Sequence, residues 1–136
     1  ELPVLLTAAP SPAELEMIAA ICALTKTAPA SLAGELTLKE LACCIGAARL
    51  MVGVDSAPMH IAAAMQTPVV ALFGPTSADV WAPWQVPHRI VRTRPSCQPC
   101  LLRGCGEGHV SECLSAIDVD TVLAACRSLL AEEGRR

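Results

Sequence analysis

Two clusters of residues in this chain carry side chains that could do chemistry. In the first, Asp55, Ser56 and His60 follow an apolar run at 50–54, and Gly74-Pro75-Thr76 follows a second run at 69–73. A helix that starts just after Asp55 offers free backbone N–H groups and about half a positive charge, which suits an anion such as a diphosphate. From the first turn of that helix the His60 imidazole reaches the same anion and can stabilise charge that develops there. Asp55 has the wrong sign to meet phosphate. Its carboxylate either orders the turn by accepting N–H bonds or holds sugar hydroxyls. In the second cluster, Cys97, Cys100, Cys105 and Cys113 follow the pattern C-x2-C-x4-C-x7-C, with His109 among them. Four thiolates of this kind can hold a structural Zn²⁺ in tetrahedral geometry, and disulfides or free thiols are the alternatives.

The elements that must position these groups are legible in the pattern. Residues 50–54 read as a strand, and Pro58 sits near the first helical position, where its missing N–H costs nothing. Residues 69–73 read as a second buried strand. Two parallel strands joined by one short helix place both following turns on the carboxyl edge of one sheet, where open α/β folds bind ligands. Upstream, residues 4–8 form a short strand, and Pro10-Ser11-Pro12 opens a helix with Glu14 and Glu16 in its first turns. Leu15, Ile18, Ala19 and Cys22 give that helix an apolar face. Residues 31–33 make a brief strand closed by Gly34. Thr37 and Glu40 form a capping-box pattern ahead of a helix with Leu38, Leu41, Ala42 and Ile45 at helical spacing. After Thr76 we expect a wrapped loop with one strand at 89–92, and then an amphipathic helix over 118–130. The alternation implies an α/β fold, a Rossmann-like doubly wound parallel sheet forming a single domain over 1–136 with a Cys-rich loop at 93–117.

Composition narrows the partners. The 136 residues carry a net charge of −3, which argues against binding nucleic acid electrostatically. With one Phe, two Trp and no Tyr, the core must be aliphatic. The longest helical apolar run, 17–24, is far below the roughly 18 residues of a membrane span. Trp81 and Trp84 either line the crevice or pin their proline-rich loop to the domain. Arg89, Arg92, Arg94 and Arg103 read as solvated, or as contacts for an anionic saccharide.

The stretch Val54-Asp55-Ser56-Ala57-Pro58-Met59-His60, followed by Ala71-Leu72-Phe73-Gly74-Pro75-Thr76 and Trp81-Ala82-Pro83-Trp84, resembles the signature of glycosyltransferase family 9, the lipopolysaccharide heptosyltransferases. Ser31-Leu32-Ala33-Gly34-Glu35-Leu36-Thr37-Leu38-Lys39-Glu40-Leu41 is similar to another family segment. Within the family the wording is most like the heptosyltransferase III branch. The resemblance implies the C-terminal, donor-binding half of a two-domain GT-B enzyme that transfers heptose from ADP-heptose to the lipopolysaccharide inner core, with no cofactor required for transfer. It implies that Asp55, Ser56, Ala57 and His60 surround the diphosphate and sugar, with Asp55 and His60 as the catalytic pair. Gly74 and Thr76 would add donor contacts, and Glu14 would approach the ribose. Ala57 stands where many relatives have Gly. A further phosphate loop and the acceptor domain with its general base are expected upstream of Glu1. The implied setting is the cytoplasmic face of the inner membrane of a Gram-negative bacterium, with peripheral membrane contact. Two other readings stay open: a different GT-B nucleotide-sugar enzyme, or a metal or redox module built on the Cys loop. No G-x-G-x-x-G, G-x-x-x-x-G-K-[ST] or H-E-x-x-H occurs.

Overall fold

The structure, a computed structural model, describes residues 2–93, 95–105 and 110–133. Where a single domain is expected, the chain divides into two compact units, Glu1–Leu41 and Ala42–Arg136. Each has its own parallel sheet.

In the first unit, β1 (Leu5–Leu6) pairs in parallel with β2 (Ala30–Ser31), and α1 (Pro12–Leu24) makes the crossover. Ser11 caps α1 by accepting the Glu14 N–H at 3.3 Å, while Glu14 Oε2 accepts the Ala9 N–H at 2.9 Å. These two bonds satisfy donors that the start of a helix would otherwise leave unpaired. The apolar face expected on α1 is present, yet none of its side chains is buried among the described residues. A sheet of two short strands is too small to cover it. Gly34, at φ 76°, ends the turn after β2 in a conformation that an L side chain rarely adopts.

Helix α2 (Leu38–Ala47) carries the chain from the first unit into the second. Its capping box forms as the sequence implies: Glu40 Oε2 accepts the Thr37 N–H at 2.8 Å, and Thr37 Oγ1 accepts the Glu40 N–H at 3.3 Å. The Thr37 hydroxyl and amide, both donating to this carboxylate, hold its pKa below the usual glutamate range.

The second unit is built on β3 (Met51–Val54), β4 (Val69–Leu72) and β5 (His88–Val91), paired in parallel in that order. Strand β4 is central and its residues 69–71 are buried, as a strand covered on both faces requires. One face packs against α6 (Val119–Glu133), where Val70, Val91 and Leu129 form a cluster with Leu72, Val122, Ala125 and Cys126 around it. Cys126 behaves there as a small hydrophobe, and burial pushes its thiol pKa up. Val69, Ala71 and Phe73 are left for the opposite face. The β3–β4 crossover α3 (Ala57–Ala64) packs against both strands and buries Met59, Ala62 and Ala63.

Two short helices lie in the region read as irregular loop: α4 (Ala78–Trp81) and α5 (Glu112–Ser115). Each is about one turn, too short to produce a helical period in the sequence.

The link between α3 and β4 is tied down by Thr67. Gln66 leaves the helix in the left-handed region at φ 59°, and the buried Thr67 hydroxyl then donates to the Ile45 carbonyl at 2.8 Å. Thr67→Val keeps the shape but leaves that carbonyl without this donor. It is expected to cost about 1–3 kcal/mol, which urea denaturation would read as a lower midpoint at unchanged slope.

Candidate functional site

Parallel pairing through β3, β4 and β5 sets three turns side by side on the carboxyl edge of the second unit's sheet. The Asp55 N–H donates to the Leu72 carbonyl at 3.3 Å and the Phe73 N–H to the Val91 carbonyl at 3.0 Å, so the ladder runs to the edge and stops there. Asp55-Ser56 follows β3, Gly74-Pro75-Thr76 follows β4 and Arg92-Thr93 follows β5.

Asp55 and His60 come together as the spacing implies. His60 Nε2 lies 3.6 Å from Asp55 Oδ1, with the Asp55 side chain 13% exposed and the His60 side chain 44% exposed. That distance is too long for a hydrogen bond, and it becomes an ion pair only when the imidazole is protonated. Ser56 holds the N-cap position of α3 with extended backbone, but its hydroxyl makes no capping bond and donates instead to the Val54 carbonyl at 3.2 Å. The N-cap side chain therefore makes no bond to the first turn of α3; within that turn Pro58 has no N–H and the Met59 N–H donates to the Ser56 carbonyl at 3.0 Å, so the Ala57 amide and the helix dipole are what the turn offers an anion. Ala57 is the first residue of the helix and is exposed.

A contact absent from the sequence reading sits on the other side of His60. The Trp81 ring approaches edge-on, with centroids 6.2 Å apart and planes at 71°. Trp81 and Trp84 are 51% and 75% exposed, so they do not pin their loop by burial. The turn at 82–84 leaves α4 with both indoles outward. The Trp-x-x-Trp spacing, in a loop that follows a ligand-edge turn, is the signal that points to such a role.

Gly74 has a packing reason to be glycine. A Cβ there would lie 2.5 Å from Leu114 Cγ, and the Gly74 carbonyl accepts from Gln98 Nε2. The Pro75 carbonyl accepts the N–H groups of Cys100 and Leu101 at 3.1 and 3.0 Å. The turn after β4 is thus clamped from both sides, and Thr76 beyond it lines a cleft of about 220 Å³. Glu14 belongs to the first unit, where its carboxylate closes the turn before α1.

The cysteines of the loop do not assemble. Among the described residues, no group of three or more His, Cys, Asp or Glu side chains is placed to hold a metal ion. Cys113 is buried on α5 and Cys97 is exposed, while the Cys105 N–H donates to the Val110 carbonyl at 2.8 Å. His109 lies outside the described residues. All eight cysteines are free thiols. Metal analysis of the purified chain tests the four-thiolate reading: close to one equivalent of zinc, released by Cys100→Ser, is the outcome if the site forms, and absence of metal with four titratable loop thiols would leave these cysteines unpaired.

A carboxylate and an imidazole thus stand at the carboxyl edge of a parallel sheet, the edge where open α/β folds bind ligands. The family profile described as Glycosyltransferase family 9 (heptosyltransferase) matches residues 1–111, and the chain belongs to that family. Lipopolysaccharide heptosyltransferase 3 of Escherichia coli is 45% identical over 82 residues, covering 60% of this chain and 24% of that protein. Lipopolysaccharide heptosyltransferase 2 of Salmonella typhimurium is 36% identical over 104 residues, covering 76% of this chain and 30% of that protein. The solved ADP-heptose lps heptosyltransferase II of E. coli superposes with a TM-score of 0.79 at 31% identity, covering 97% of this chain and 37% of that one. A family 9 glycosyl transferase from Veillonella parvula gives 0.78 at 26% identity, covering 96% and 37%. The chain thus spans between a quarter and two fifths of the length of these relatives. Among the described residues, no helix is long and apolar enough to cross a membrane.

Proposed function

We propose that this chain is the donor-binding half of an ADP-heptose:lipopolysaccharide heptosyltransferase of the heptosyltransferase III type, acting at the cytoplasmic face of the inner membrane. The observation that carries this reading is the Asp55–His60 pair beside the head of α3, where Ser56 makes no side-chain capping bond. In this reading the diphosphate of ADP-heptose meets the Ala57 amide and the positive end of the helix dipole. As the bond from the anomeric carbon to the diphosphate breaks, negative charge grows on the leaving oxygens. His60 donates to those oxygens, and the helix dipole adds to the stabilisation.

Asp55 faces His60 and orients its ring, and in this reading the other Asp55 oxygen accepts from a sugar hydroxyl. Ser56 and Ala57 bring backbone close to the phosphates, and Gly74 and Thr76 close the next turn. The acceptor sugar of the lipopolysaccharide core and the general base that deprotonates it come from the remainder of the enzyme. Transfer on this scheme needs no metal or organic cofactor. Contact with the membrane is peripheral.

Titrating the ¹⁵N-labelled chain with ADP tests the donor half directly. Amides at 56–60 and 74–77 are expected to shift together and to saturate. Shifts confined to 97–105, or none at millimolar ADP, would remove the donor reading.

A further inference from the structure

The cleft after β5 is chemically distinct from the Asp55–His60 edge. It is lined by Thr76, Ser77, Asp79, Arg92 and Gln98, with proline rings completing the wall. Val91, the last residue of β5, points into the core against α6, and the chain turns at Arg92 to present a guanidinium to the cleft. The Arg92 side chain is 27% exposed, so its guanidinium is only partly solvated. The carboxylate that faces it, Asp79 on α4, is 85% exposed and stands 3.8 Å from the nearest guanidinium nitrogen. That is beyond hydrogen-bonding reach, and an exposed pair of this kind is held weakly.

The other groups fit the same ligand. Ser77 is the N-cap of α4 but makes no side-chain capping bond, and its hydroxyl lines the cleft beside that of Thr76. Gln98 is held across the opening by its bond to the Gly74 carbonyl, and the chain that follows is held by the two amides on the Pro75 carbonyl. The walls are therefore set before any ligand arrives. One fixed cation, two hydroxyls and a carboxamide around about 220 Å³ suit a single oxyanion group, a phosphate or a carboxylate on a sugar, and are too small for a nucleotide.

We propose that this cleft is an oxyanion subsite in which Arg92 is the principal donor and Asp79 its displaceable intramolecular competitor. The oxyanion has two sources: the diphosphate of the donor, or a phosphate or carboxylate carried by the acceptor glycan. The inference shares Thr76 with the donor reading but uses neither Asp55 nor His60, so Arg92 and Gln98, which lie outside the donor set, tell the two apart.

NMR titration of the labelled chain with inorganic phosphate tests it. Saturable shifts are expected at the amides of Thr76, Ser77 and Gln98 and at Arg92 Nε. Arg92→Gln is expected to weaken phosphate binding about tenfold or more, and Asp79→Asn to tighten it about two- to fivefold. The opposite signs matter: a general loss of structure cannot tighten binding, so Asp79→Asn alone decides the matter if Arg92→Gln fails to fold. Unchanged affinity in both variants, or phosphate shifts confined to 56–60, would overturn the proposal.

ADP then separates the sources. ADP that moves the Gln98 amide and Arg92 Nε and is displaced by phosphate assigns the oxyanion to the donor. ADP that moves 56–60 and 74–77 but leaves Gln98 and Arg92 unmoved, while phosphate still saturates the cleft, assigns it to the acceptor. Failure of ADP to bind anywhere, with phosphate binding intact, would remove the donor reading and leave this subsite standing.

Discussion

His60→Ala in the complete enzyme is expected to lower turnover about 10²-fold or more while the melting temperature barely moves. The two halves of that expectation have separate physical causes. The imidazole is 44% exposed, so truncating it leaves no sealed cavity and forfeits little apolar burial. Its position between the largely buried Asp55 carboxylate and the edge of Trp81 fixes it at the head of α3, where the leaving diphosphate would gather charge. A donor oriented in advance acts on the transition state more than on bound substrate, so the loss should fall on kcat rather than KM. Steady-state kinetics and a thermal melt on the same preparation check both parts. An early melt with specific activity retained would make His60 a structural residue.

The 136-residue chain by itself is expected to transfer no heptose, and joining it to the rest of a family 9 enzyme on one chain should restore transfer from ADP-heptose to a lipopolysaccharide inner core. Relatives are about three to four times longer than the matched segments. In the proposed scheme the acceptor hydroxyl and its base reside in the part that this chain does not span. Bringing the two reactants into contact is worth many orders of magnitude in rate, and a donor half alone has no second reactant to orient. The assay is product formation by mass spectrometry from the chain alone and from the joined enzyme. Transfer by the chain alone, free of contaminating enzyme, would place the whole catalytic apparatus within it.

The β3–α3–β4 segment was the most legible part of the chain, because the constraints there are local. A β-branched run, a polar stop, a proline at the helix start and a second apolar run each restrict the backbone to one conformation. The Thr37–Glu40 box was legible for the same reason. What escaped the sequence depends on chain path. Trp81 meets His60 across two strands, and neither residue's neighbours announce the other. The course of the loop at 97–101 is held by the Cys100 and Leu101 amides on the Pro75 carbonyl, and a carbonyl carries no sequence signal. Ser56 looked like a cap and is placed as one, yet its hydroxyl turns back to the Val54 carbonyl. That choice between two nearby acceptors lies below what residue type decides. The short helices α4 and α5, and with them the wall of the Arg92 cleft, offered too few residues for a period.

The alanines of α3 act as a gauge. Ala62 and Ala63 are the buried surface that meets the sheet, together with Met59, and methyl groups allow the helix axis to lie close to β3 and β4. Since His60 rides on the same eight-residue rod, the thickness of those two side chains sets how far the imidazole stands from the edge of the sheet. Widening either by a methylene or two would lift the rod as a unit. Reacting groups tolerate displacements well under an ångström, and an error of about 1 Å can forfeit about 10²-fold in rate. Two residues with no chemistry of their own thus calibrate the site, and libraries built to alter donor choice would do well to hold both constant while varying the exposed positions around them.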